Sequence, residues 1–198
     1  MIVLPREHPM DYRQLGRTDL NVSAICLGTM TWGEQNTEAE AFAQIERAKN
    51  AGINFIDTAE MYPVPPKAET YATTERYIGN WFKQRGDRAD WVLASKIAGP
   101  GNTIDYIRDK QLKHNRKHIV EAVDASLKRL QTDWIDLYQL HWPERSTNFF
   151  GQLGYKHQAD EDFTPLEETL EALDEQVKAG KIRHIGLSNE TPWGTMKF

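Results

Sequence analysis

Cysteine is almost missing from this chain: Cys26 is the only one in 198 residues. A lone thiol excludes an internal disulfide framework and fits a reducing compartment. Also missing are an apolar run of about 18 residues and a charged-then-apolar leader at Met1, so the expectation is a cytoplasmic protein, neither secreted nor membrane-spanning. No dense Lys/Arg run occurs. The 24 basic residues are outnumbered by 29 acidic ones, for a net charge of −5, which argues against nucleic acid or an anionic membrane surface as partner. There is no low-complexity tract and no near-identical repeat. What remains, 39% apolar and 27% charged, is the composition of one ordinary globular domain.

Residues 1–11 read as an extension outside that domain, because MIVLPREHP carries two prolines and no period. The stretch 12–22 reads as a small hairpin around Gly-Arg-Thr-Asp. After it, strand and helix patterns alternate. The expected strands are SAICLGTMTWG from Ser23, GINFID from Gly52, WVLASK from Trp91, DWIDLYQLH from Asp133 and KIRHIGLSN from Lys181. Between them the spacing predicts helices over 37–50, 74–85, 117–130 and 164–179. The first opens on a capping box, Thr37 with Glu40; the last has Thr164 as N-cap, Pro165 in its first turn and Gly180 as its stop. Strict alternation is the signature of parallel βαβ units. A doubly wound nucleotide-binding sheet would place GxGxxG at the first strand-to-helix turn, which here reads GTMTWGEQNT. A TIM-type barrel places its chemistry at the C-terminal ends of successive strands, and these strands end in Asp57, Lys96, His141 and the pair Ser188-Asn189.

On one barrel rim those groups converge, with Tyr62 in the loop after the second strand. A phenol ionises near pH 10, so as an acid near neutrality it needs help; Lys96 would favour the phenolate and Asp57 would hold Lys96 charged and aimed. His141 would donate to the oxygen on which charge accumulates. Together they read as a carbonyl-reduction site that awaits a hydride. The residues alone leave a plainer reading open, with Asp57 capping a turn or pairing structurally with Lys96, and Tyr62 and His141 simply packed. Trp142, Phe149, Phe150 and Tyr155 either form a substrate wall or pack their long loop down. His114 and His118 stand four apart without a third ligand, so no metal is expected. Gly99-Pro-Gly101 is a turn rather than a phosphate cradle.

GINFIDTAEMY, ERYIGNW, LASK, LYQLHWP and KIRHIGLSN resemble, in order and spacing, the motifs of the aldo/keto reductases; MYPVPPK, SLKRLQTD, HWPERSTN and FGQLGY look like their Tas-type bacterial branch. The resemblance runs from about Tyr12 to Phe198. It implies a (β/α)8 barrel with an N-terminal hairpin across its bottom and NADPH-dependent reduction of aldehydes or ketones. By motif position the family tetrad falls on Asp57, Tyr62, Lys96 and His141, with Tyr62 as general acid. Ser188 and Asn189 would hold the nicotinamide amide, with Thr31 and Asp57 among the cofactor contacts. Trp32 would either line the mouth or pack. One departure stands out: Glu190 follows Asn189 where the family carries an aromatic.

Eight βα units take about 250 residues, whereas this sequence reaches only the fifth strand. The expectation is therefore an incomplete barrel over 12–198, truncated after strand five, without the loops that in this family grip the adenosine phosphate. Its open sheet edges could support self-association. Two functions follow: an enzyme acting on a small carbonyl substrate, or an inactive, cofactor-sensing module like the family's potassium-channel β-subunits.

Overall fold

A computed structural model describes residues 10–101, 104–108, 110–159 and 161–198. Most of the expected extension, residues 1 to 9, lies outside the described residues. The hairpin forms from β1 (Tyr12–Gln14) and β2 (Asn21–Ser23), paired antiparallel. It docks at the start of GINFID, the second expected strand. Tyr12 donates its hydroxyl proton to Gly52 O (2.6 Å), and the Asn54 side chain bridges Ser23 N and Asn21 O.

The main sheet has five parallel strands: β3 (Leu27–Gly28), β4 (Phe55–Asp57), β5 (Val92–Ile97), β6 (Ile135–Leu140) and β7 (Ile182–Leu187). Their spatial order is their chain order. A doubly wound sheet reverses direction at a switch point, whereas a barrel adds each strand beside the last. The monotonic order is thus the barrel pattern, carried here by five strands. β3 is shorter than the expected strand over 23–33. Ala24 N is already bonded to Asp11 O in the hairpin, and beyond Gly28 the chain turns, with Trp32 N on Thr29 O.

Helices α1 (Glu38–Asn50), α2 (Thr73–Arg85), α3 (Arg116–Leu130) and α4 (Leu166–Lys178) follow the strands in turn; a short α5 (Pro192–Lys197) comes last. The capping box of α1 forms as expected: Thr37 Oγ1 accepts from Glu40 N while the Glu40 carboxylate accepts from Thr37 N. Thr164 does not cap α4. Its N–H and hydroxyl both donate to Glu144 Oε1 (2.8 and 3.1 Å), and Pro165 takes the capping position without a side-chain bond. The Glu144 carboxylate takes both Thr164 protons in charge-assisted bonds, which anchor the threonine to the preceding loop one residue ahead of the cap position.

Period-two alternation divides the sheet into two faces. Ile56, Leu93, Ile97, Tyr138 and Leu140 are buried with Ile45, Trp81, Phe82, Ile119, Val123 and Leu173 of the helices in the main core. Gly79 lets α2 approach α3 closely, since a Cβ there would stand 2.1 Å from Arg129 O. Asp57, Leu137, Gln139 and His184 are only half-buried. No helix among the described residues is long and apolar enough to cross a membrane.

Candidate active site

The candidate site is built where strands end. Past β4 the chain keeps the sheet's direction for three residues, with Thr58 N on Ala94 O and Glu60 N on Lys96 O, and then turns at Ala59–Tyr62. This carries Asp57 and Tyr62 to the C-terminal rim beside β5. Lys96, next to last in β5, is buried; its ammonium donates to Asp57 Oδ2 (2.5 Å) and to Thr58 O (2.8 Å). It also lies 5.0 Å from the centre of the Tyr62 ring. His141, one residue past β6, meets the same ring edge-on, with centroids 5.5 Å apart.

Asp57, Tyr62, Lys96, His141, Trp142, Ser188 and Asn189 line one cavity of about 790 Å³. Of the residues expected at the site, only Thr31 and Trp32 stand apart from it. Thr31 gives its hydroxyl proton to Asn36 Oδ1. Trp32 is 1% exposed, its indole N–H donates to Gln44 Oε1 of α1 (2.8 Å), and it belongs to the main core rather than the mouth. A large apolar ring with a helix partner for its one polar atom gains more from burial than from lining an open cavity. Met30, which is exposed, reaches the cavity instead.

The electrostatics refine the expected roles. Burial, and then the charge of Asp57, pushes the Tyr62 phenol up to about 12. The resting tyrosine is thus a neutral acid, and the Lys96 charge is engaged by Asp57 instead of lowering the phenol. Burial, and then Lys96, pushes His141 down to about 3, so its imidazole is neutral; its Nδ1 is buried without a hydrogen-bond partner. His114 is likewise pushed down to about 3, by burial and then Arg108. His118 accepts from Lys113 N through Nδ1, a local structural bond.

These two buried neutral histidines set a pH dependence. Their folded pKa values lie below the ordinary 6.5, so between about 6.5 and 3 the unfolded chain binds more protons than the folded one. Stability is therefore complete above about pH 6.5 and falls as pH drops toward 3. Urea midpoints measured from about pH 7 to about pH 4 should decrease, and His114→Gln should flatten that slope.

A family model described as the aldo/keto reductase family matches residues 24–198. The chain belongs to the aldo/keto reductase family. Protein tas of Escherichia coli K12 is 52% identical over 96% of this chain and 55% of its own length. The uncharacterized oxidoreductase YrpG of Bacillus subtilis is 39% identical over 95% of this chain and 52% of its own. Among solved structures, the holo form of aldo-keto reductase AKR11C1 from Bacillus halodurans matches with a TM-score of 0.68 and 32% identity, over 95% of this chain and 53% of that one. The thermostable aldo-keto reductase Tm1743, solved with the inhibitor epalrestat, matches with a TM-score of 0.64 and 32% identity over 91% and 54%. The chain spans about half the length of the curated relatives it matches.

Within this aldo/keto reductase cavity, sequence reasoning missed Gln139, which donates to Asp57 Oδ1 (3.3 Å). The signal was available, because in LYQLH position 139 shares the side of 141 by period two. Phe149 and Phe150 do join Trp142 in the wall, and the Trp142 and Phe150 ring centroids are 5.5 Å apart; Tyr155 lines a separate cavity. Trp142 is fixed by its N–H to Pro100 O (2.9 Å), an approach open only because residue 99 is glycine: a Cβ there would stand 2.5 Å from Nε1. Glu190, in place of the family's aromatic, pairs with Arg145 through both oxygens and accepts from Thr191 N. Burial opposes its charge, but Arg145 and Thr191 hold it below the ordinary carboxylate range.

Proposed function

We propose that this chain carries the reduction chemistry of an NADPH-dependent carbonyl reductase, with Tyr62 as general acid. The observation that supports this most is the meeting of Asp57, Tyr62, Lys96 and His141 at one cavity wide enough for a small carbonyl beside a nicotinamide ring. Reduced nicotinamide, when bound, would supply the hydride. Asn189 fits a carboxamide partner. Its amide nitrogen is already committed to His141 O (2.8 Å) and Ser188 Oγ (3.0 Å), which leaves its acceptor oxygen and the Ser188 hydroxyl proton for the ligand.

Tyr62 holds its proton in the resting state and gives it up only when negative charge grows on the substrate oxygen, which is the timing a general acid needs. His141, being neutral, offers one N–H donor to that oxygen without competing as a charged acid. Asp57, with Gln139 behind it, keeps the Lys96 ammonium in place beside the Tyr62 ring. Trp142, Phe149 and Phe150 close the apolar wall and limit water.

Titrating the chain with NADPH and following nicotinamide fluorescence should give saturable binding, with NADPH oxidised when a reactive aldehyde is added. Saturable binding without turnover would replace the enzyme reading by a cofactor-sensing module. Absence of both would overturn the reading altogether.

A further inference from the structure

Glu60 is fully buried, two residues before Tyr62 and three after Asp57. A buried carboxylate is costly unless its oxygens are satisfied, and here all the partners come from the β5 side of the site. Its own N–H donates to Lys96 O (3.1 Å). Its Oε1 accepts from Ala98 N (2.6 Å), two residues past Lys96. Arg108 then closes a two-pronged pair, Nη1 to Oε2 (2.6 Å) and Nη2 to Oε1 (2.8 Å), with its side chain 9% exposed. Glu60 thus ties the segment bearing Tyr62 to the segment bearing Lys96, and Arg108 ties both to the loop between β5 and α3.

That loop forms part of the cavity wall. Ile104, Ile107 and Leu112 pack in one cluster with Met61, Tyr62 and Trp142, and Ile104 itself faces the cavity. Arg108 has φ of 45°, a strained conformation for a non-glycine residue, held by the contacts around it. Net stability is a weak reason for such a pair, since a buried ion pair is often no better than apolar residues of the same volume. An apolar pair, however, could not accept the Ala98 N–H or fix the fork's orientation.

We propose that Glu60 and Arg108 are positioning residues that hold Tyr62 in register with Lys96 and seat the β5–α3 loop against the cavity. This rests on the carbonyl-reductase reading. The pair touches neither Ser188 nor Asn189, so it acts on proton delivery and not on the nicotinamide amide. A shift of about 1 Å in a reacting group is enough to slow a step by about 10²-fold.

The test uses Arg108→Met, which removes the fork but keeps most of the volume, and Arg108→Lys, which restores charge without the fork. Arg108→Met should lower kcat by about 10-fold or more with the NADPH dissociation constant within about two-fold of wild type, and Arg108→Lys should recover only part of kcat. Hydrogen exchange at the Ala98 amide should quicken in Arg108→Met. Unchanged kcat would overturn the proposal, as would a proportionate loss of kcat and cofactor affinity, which marks general unfolding. If wild type shows no turnover, the reductase reading is what fails. The Ala98 exchange rate then decides the positioning claim, with faster exchange in Arg108→Met supporting it and an unchanged rate overturning it.

Discussion

Replacing Tyr62 with phenylalanine is expected to lower kcat for aldehyde reduction by about 10²- to 10⁴-fold, the range that a positioned proton donor supplies. The substitution removes one oxygen and leaves the ring. That ring is 8% exposed and held between the Lys96 ammonium and the His141 imidazole, so phenylalanine can fill the same space. No described residue donates to or accepts from the Tyr62 hydroxyl. Its loss therefore leaves no buried partner unsatisfied, and the fold should survive. Steady-state kinetics beside a thermal melt separate the two effects: a large fall in kcat with little change in melting is expected. Turnover close to wild type would remove Tyr62 from the acid role.

The largest stability effect is expected at the other end of the sheet. Asp136 in β6 is 2% exposed and collects four partners: Arg88 Nη2 (2.7 Å) and Leu93 N (2.9 Å) on Oδ2, Trp134 Nε1 (3.2 Å) and Arg183 Nη1 (2.9 Å) on Oδ1. Arg88 is itself buried, with its guanidinium 4.5 Å from the Trp134 ring centre and also donating to Trp91 O and Trp134 O. Asp136→Ala strands that cation in the interior, and breaking a buried pair from one side costs about 3–5 kcal/mol. The urea midpoint should fall with an unchanged slope, and kcat per folded molecule should stay near wild type because none of these groups reaches the cavity. A cost below about 1 kcal/mol would mean that water reaches Arg88 and solvates it.

Much of the site is legible in the order of residues alone. Asp57, Lys96 and His141 can be placed because each closes an apolar strand pattern, and parallel strands must end on the same rim. The α1 capping box is legible for a similar reason: every atom it uses lies within four residues. The packing of Trp32 and the departure of Thr164 from its expected cap depend on partners outside their own segments, Gln44 on a helix and Glu144 on a loop. Local pattern carries no information about which acceptor a buried indole or hydroxyl will find. Glu60 and Arg108, 48 residues apart, are hidden from local pattern on the same ground.

The alternation of strands and helices, the parallel sheet and the four groups at its rim follow from period and spacing, which are written locally. Tertiary contacts settle which aromatic packs and which lines the cavity. The same contacts pair Lys96 with Asp57 while Tyr62 stays a neutral phenol, and through Glu60 they bind the two strand ends together. Those outcomes depend on burial and on distances between remote residues, and burial sets what a charge costs and what a proton donor can do.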